Sequence, residues 1–156
     1  MTRKVVLVIL VLALLASTGQ ALTFKRKVSP TNTPTFGLEK VGTGQTIVTV
    51  MWTKSSADLD LLIECDELGT VGFSISSANR HEHLAVGMAD GQLCTLAVVS
   101  FQGSSTAYIN IQATVLGELG TSQIRAIELS PADVPDLEMS VKRLRSAKRE
   151  LRRATD

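Results

Sequence analysis

Ala57-Asp58-Leu59-Asp60-Leu61-Leu62-Ile63-Glu64-Cys65 decides the fold class. Leu59, Leu61, Ile63 and Cys65 fall on one side of an extended chain, and Asp58, Asp60, Leu62 and Glu64 on the other. That is the period-two pattern of a strand with one buried face. The stretch follows Trp52, the single tryptophan, and ends in one of only two cysteines.

Similar texture extends in both directions. Thr46 to Trp52 is β-branched and aromatic, a good strand. Thr70 to Ser76, Glu82 to Met88, Leu93 to Phe101, Thr106 to Val115 and Ser122 to Leu129 read as further strands. The turns between them carry Asp66-Glu67-Leu68-Gly69, Ser77 to Arg80, Asp90-Gly91, Gly103-Ser104 and, as a connection, Leu116 to Gly120. Leu93 to Phe101 is apolar on both faces near Leu96, Ala97, Val98 and Val99. Short strands at this spacing, with no βαβ alternation, predict an all-β antiparallel β-sandwich of about seven strands over residues 45–129.

The period changes after Leu129. Ser130 and Pro131 are placed as N-cap and first helical residue, with Pro135 delaying the regular helix. Leu137, Val141, Leu144, Lys148 and Leu151 then recur at spacings of four and three, a narrow seam with a lysine in it. Glu138 and Lys142 form a favourable i,i+4 pair. Residues 130–156 therefore predict a basic, amphipathic helical tail. It can dock on its own sandwich, pair with another helix or lie on an anionic surface. The narrowness of the seam favours the last two. Leu137, Val141, Leu144 and Leu151, with the flanking Arg145, Arg149 and Arg152, are the candidate partner-binding residues.

Charge is unevenly spread. The net charge is +1. Val28 to Leu129 holds four basic and ten acidic residues, a balance of −6, whereas residues 141–156 hold seven basic and two acidic, a balance of +5. An acidic body with few aromatics argues against nucleic acid.

Residues 1–21 have the secretory leader pattern. Arg3 and Lys4 precede an apolar run from Val5 to Ala16, and Gly19 and Ala21 suit cleavage after Ala21. The run is too short for a spanning helix, which needs about 20 apolar residues. Two cysteines in an exported chain predict one disulfide, Cys65 to Cys94, fixing Cys65 to the neighbouring sheet. Residues 22–44, with Lys25-Arg26-Lys27 and then a Ser/Thr/Pro-rich run, read as a flexible linker. The expected location is secreted or periplasmic.

The order Trp52, Ser56-Ala57-Asp58-Leu59-Asp60-Leu61, a Ser-rich strand, Asn79 and a Gly91 turn resembles the bacterial pre-peptidase C-terminal domain family. So do Leu93 to Ser100, Gly103-Ser104-Ser105 and Thr106 to Ile111. The resemblance spans about residues 45–115 and implies a jelly-roll-like sandwich appended to secreted enzymes, in some cases binding calcium and extracellular polymers such as collagen. Here Leu93-Cys94 stands where the family is usually aromatic, and the basic helix is added.

Candidate chemistry is sparse. Asp58 and Asp60 project from one strand face, either as hydrogen-bond acceptors or, as the resemblance implies, as Ca2+ ligands. Calcium needs six to eight oxygens, more than two strand aspartates supply. His81 and His83 share a face but lack a third ligand. Trp52 reads as core rather than as a sugar platform. No Gly-x-Ser-x-Gly motif is present, and same-strand aspartates do not flank a cleft as a glycosidase dyad does. The expectation is an exported, non-catalytic binding or adaptor module for an extracellular or periplasmic protein or polymer. The alternative is a structural or assembly protein that joins partners, or copies of itself, through the basic helix.

Overall fold

The computed structural model describes residues 21–42, 44–66, 68–75, 80–114 and 122–155. Nine strands lie among them: β1 (Ala21–Val28), β2 (Thr35–Gly42), β3 (Gln45–Trp52), β4 (Asp58–Cys65), β5 (Gly69–Ser74), β6 (His81–Gly87), β7 (Leu93–Gln102), β8 (Ser105–Ala113) and β9 (Ser122–Leu129). A single 3-10 turn, Pro131–Asp133, leads into the helix α1 (Leu137–Thr155). Residues 1–20 of the expected leader, the centres of the turns at 66–69 and 77–80 and the connection at 116–120 lie outside the described residues.

All pairings are antiparallel, and they form two sheets ordered β1-β8-β3-β6 and β5-β4-β7-β2-β9. The first eight strands make one long hairpin. β4 pairs with β5, β3 with β6, β2 with β7 and β1 with β8. Rolling that hairpin sets β8 beside β3 and β7 beside β4. This is the jelly-roll arrangement of two facing sheets, with β9 added beside β2.

The seven expected strands are all present. The expected linker is not a linker, because residues 21–42 hold β1 and β2. The Lys25-Arg26-Lys27 cluster hides an alternation in which Leu22, Phe24 and Val28 turn towards the core and Thr23, Lys25 and Lys27 turn to solvent. Phe24 meets Phe36 of β2 at 4.7 Å between ring centroids. Without β1 and β2, β8 and β7 would each lose a ladder partner, and their backbone amides and carbonyls would need another.

The core between the sheets takes Leu59, Leu61, Ile63 and Cys65 from β4, and Leu96 and Val98 from β7. It also takes Val48 and Val50 from β3 and Ile109 and Ile111 from β8. Trp52 is buried, and its indole N–H donates to the Ala57 carbonyl at 2.8 Å, so it is core and not a sugar platform. Gly44 (φ +134°) closes the approach to β3 against Thr114, whose carbonyl would lie 1.7 Å from an added Cβ. Cys65 and Cys94 are disulfide-bonded. They face each other on adjacent strands, so the bond staples β4 to β7 within one sheet and does not reach the other.

Two side contacts close the sandwich. Arg26 of β1 makes a bidentate pair with Glu128 of β9, at 2.8 and 2.6 Å. Across the opposite side, the Ser74 hydroxyl of β5 donates to Glu82 of β6.

Candidate functional site

The outer faces of the two sheets have different fates. On the five-stranded sheet, Leu62, Ala97 and Val99 point away from the core and are still buried. α1 covers them with Val141 and Leu144, and Leu137 packs at the edge of the same cluster. β4 is therefore buried on both faces. The seam lysine finishes the contact. Lys148, 1% exposed, donates through Nζ to Asp58 at 2.8 Å and to Asp60. Arg152 donates to the second Asp58 oxygen, and its guanidinium lies 4.5 Å from the Phe101 ring centroid, with Lys148 Nζ at 5.0 Å from the same ring. Arg145 Nη2 donates to the Ser100 carbonyl at 3.0 Å.

Asp60 is fully buried. Burial pushes its carboxyl up to about 7, against the hydrogen bond and charge of Lys148, which pull it down, while Asp58 and Glu82 add to the rise. The two aspartates are thus held by the chain's own cations. Calcium was expected on these same two carboxylates, and in the structure both accept from Lys148, with Arg152 also on Asp58. Among the described residues no three His, Cys, Asp or Glu side chains gather as a metal-ligating group.

The helix expectation is corrected. The seam of Leu137, Val141, Leu144 and Lys148 is spent on the protein's own sheet rather than on another helix. Arg145 and Arg152 serve that docking, while Arg149 is exposed and Leu151 is half exposed. A narrow stripe suffices because the sheet beneath offers Leu62, Ala97 and Val99 as apolar counterparts and two carboxylates to the lysine. The Glu138–Lys142 pair is formed at 2.8 Å on the solvent side.

Among the described residues, nothing covers the outer face of the four-stranded sheet. Lys25, Tyr108, Met51 and His81 line up across β1, β8, β3 and β6, and Thr23, Asn110, Thr49 and His83 form the next row. Cross-strand contacts order these rows. Asn110 Nδ2 donates to Thr23 Oγ1 at 3.1 Å, Thr49 Oγ1 and His83 Nδ1 lie 3.2 Å apart, and Lys25 Nζ sits 5.5 Å from the Tyr108 ring centroid. Met51 is 56% exposed and Tyr108 39%. The pair His81 and His83 shares this face, as their spacing predicts, with no third ligand beside them among the described residues.

A groove of about 500 Å³ opens where the β1–β2 loop meets the start of α1. All four prolines of the chain, Pro30, Pro34, Pro131 and Pro135, line it. Of its lining charges, Glu128 is paired with Arg26 and Glu138 with Lys142, while Arg145 donates to the Ser100 carbonyl.

No family model matches the chain, and no curated protein matches it. Among solved structures it is similar to PliG of Aeromonas hydrophila, a periplasmic lysozyme inhibitor of g-type lysozyme. The identity is 11%, the match covers 60% of this chain and 86% of that one, and the TM-score is 0.44. It is also similar to the Yersinia pseudotuberculosis-derived mitogen, at 9% identity over 64% of this chain and 89% of that one, with a TM-score of 0.45.

Sequence reasoning singled out Asp58, Asp60, Lys148 and the seam but did not join them. The signal was present. Leu62 interrupts the polar face of β4, and β7 is apolar on both faces, so the sheet's second face needed a cover. The open face left no mark in any single segment, because its rows draw one residue from each of four separate strands.

Proposed function

We propose that this chain is an exported, non-catalytic binding module that works through the open face of β1-β8-β3-β6. The carrying observation is the asymmetry of the sandwich. One outer face is sealed by the protein's own helix, and the other presents Tyr108 and Met51 in an ordered, solvent-facing row. Tyrosine and methionine are residue types enriched at protein contact surfaces.

Three observations support the non-catalytic reading. The cysteines are bonded to each other. Asp58 and Asp60 are tied by Lys148 and Arg152. The two histidines stand on a face that offers no carboxylate to orient them. Export is supported by the leader pattern of residues 1–21 and by the disulfide. Among the described residues, no helix is long and apolar enough to cross a membrane. The similarity of Ala57 to Leu61 to the pre-peptidase C-terminal domain accords with a module role.

The test is a pair of surface variants used as baits on the exported fraction. Tyr108→Glu with Met51→Glu is expected to keep the melting temperature within a few degrees and to lose the partners that the parent protein retains. Met139→Glu, on the exposed side of α1, is expected to keep them. Equal retention by both variants would refute the assignment of the face.

A further inference from the structure

The open face has a second property. None of the outward positions of β1, β8, β3 and β6 is an aspartate or a glutamate. The basic side chains on it are Lys25 and Lys27 at one edge and His81 and His83 at the other, with Tyr108, Met51, Thr49 and Asn110 between them. This occurs in a sandwich whose balance from Ala21 to Leu129, seven basic residues against ten acidic, is −3. These four strands hold one acidic residue. Glu82 of β6 points inward and is buried against Ser74.

Resting on the reading that this face is the contact surface, we propose that its partner is an acidic patch on a folded protein, with a small apolar centre that meets Tyr108 and Met51. Charge complementarity selects the sign. A face free of carboxylates presents no like charge to an acidic surface, and juxtaposed like charges are what exclude wrong partners.

The spacing of the charges selects the class of macromolecule. The lysines sit on the β1 edge and the histidines on the β6 edge, three strand separations or about 14 Å away. The middle between them is aromatic, aliphatic and hydroxylic. That is the plan of a protein interface, an apolar centre with a polar rim. A phosphate or sulfate polyanion calls instead for a continuous basic track, and an anionic bilayer for a cluster of about four to eight Lys and Arg. The contacts of Lys25 with Tyr108, Asn110 with Thr23 and Thr49 with His83 already order the rows, so fewer side chains must be fixed on binding.

The basic tail is the rival for any acidic ligand, so the test must be residue-resolved. The full mature chain, labelled with nitrogen-15, is titrated at low salt with poly-L-glutamate, with heparin and with phosphatidylglycerol vesicles. Amide shifts from polyglutamate are expected to concentrate on β1, β8, β3 and β6, and to weaken about tenfold in Lys25→Glu/Lys27→Glu. Arg149→Glu/Arg153→Glu, on the tail, is expected to leave them in place. Shifts confined to α1, or heparin or vesicles engaging the face more strongly than polyglutamate, would overturn the acidic-protein assignment.

The same lysine reversal is then carried into the capture experiment. Loss of the partner with both Tyr108→Glu/Met51→Glu and the lysine reversal supports the assignment. Loss with the first alone leaves the face as the contact surface and refutes the acidic partner.

Discussion

Lys148 is the residue on which the outer layer depends. Its ammonium is buried between two carboxylates, so removing it strands their charge. Lys148→Ala is expected to cost about 3–5 kcal/mol in urea unfolding. Lys148→Met combined with Asp60→Leu is expected to recover much of that loss, because an apolar pair of similar volume needs no desolvation. Asp60 adds a pH signature. Its carboxyl is raised to about 7 by burial, whereas in the unfolded chain it titrates at the ordinary value of 3.8. Between those values the native state holds more protons at this group than the unfolded state does. The group's contribution is therefore greatest below pH 4 and falls as the pH rises towards 7. Asp60→Asn removes this dependence. The stability of the parent minus that of the variant, measured at pH 4.5 and 7.5, is expected to be smaller at pH 7.5. An unchanged or larger difference at pH 7.5 would show that Lys148 outweighs the burial.

α1 is a third layer rather than a free arm. Leu144 is buried against the sheet while Leu151 is 51% exposed, so the two seam leucines are not equivalent. Leu144→Ala is expected to lower stability by about 2–5 kcal/mol and Leu151→Ala by under about 1 kcal/mol, measured by thermal unfolding. Equal costs, with a change of oligomeric state, would mean that the helix pairs with another copy. The strands β3 to β9 were legible because they are short runs of alternating or continuously apolar residues and glycine or aspartate marks their turns. β1 was not, since three consecutive cations on an edge strand look like solvated chain, although lysine on an edge is also how sheets discourage further pairing. β2 was hidden by Gly37 and by the adjacent charges Glu39 and Lys40, of which Lys40 is buried and donates to Ser122. The docking of α1 was missed for a different reason. Lys148 lies about 90 residues from the aspartates it serves, and no local spacing encodes that match.

The whole molecule is a hairpin rolled on itself, stapled near its tip by Cys65–Cys94 and sealed on one side by α1. That topology governs the time course of folding. The tip strands β4 and β5 are near neighbours in sequence, whereas Ala21 of β1 pairs with Gln112 of β8 across roughly 90 residues. Closing so long a loop costs entropy before any contact rewards it, so refolding with the disulfide intact is expected in the range of milliseconds to seconds. Truncations in the tip and in the outermost pair should then act on opposite limbs of the chevron. Ile63→Val is expected mainly to slow refolding, and Val28→Ala mainly to accelerate unfolding. During synthesis β1 is made first and finds its partner last. For most of that interval it is a nascent edge strand, and a run of three cations is the kind of sequence that discourages such an edge from pairing with a neighbouring chain.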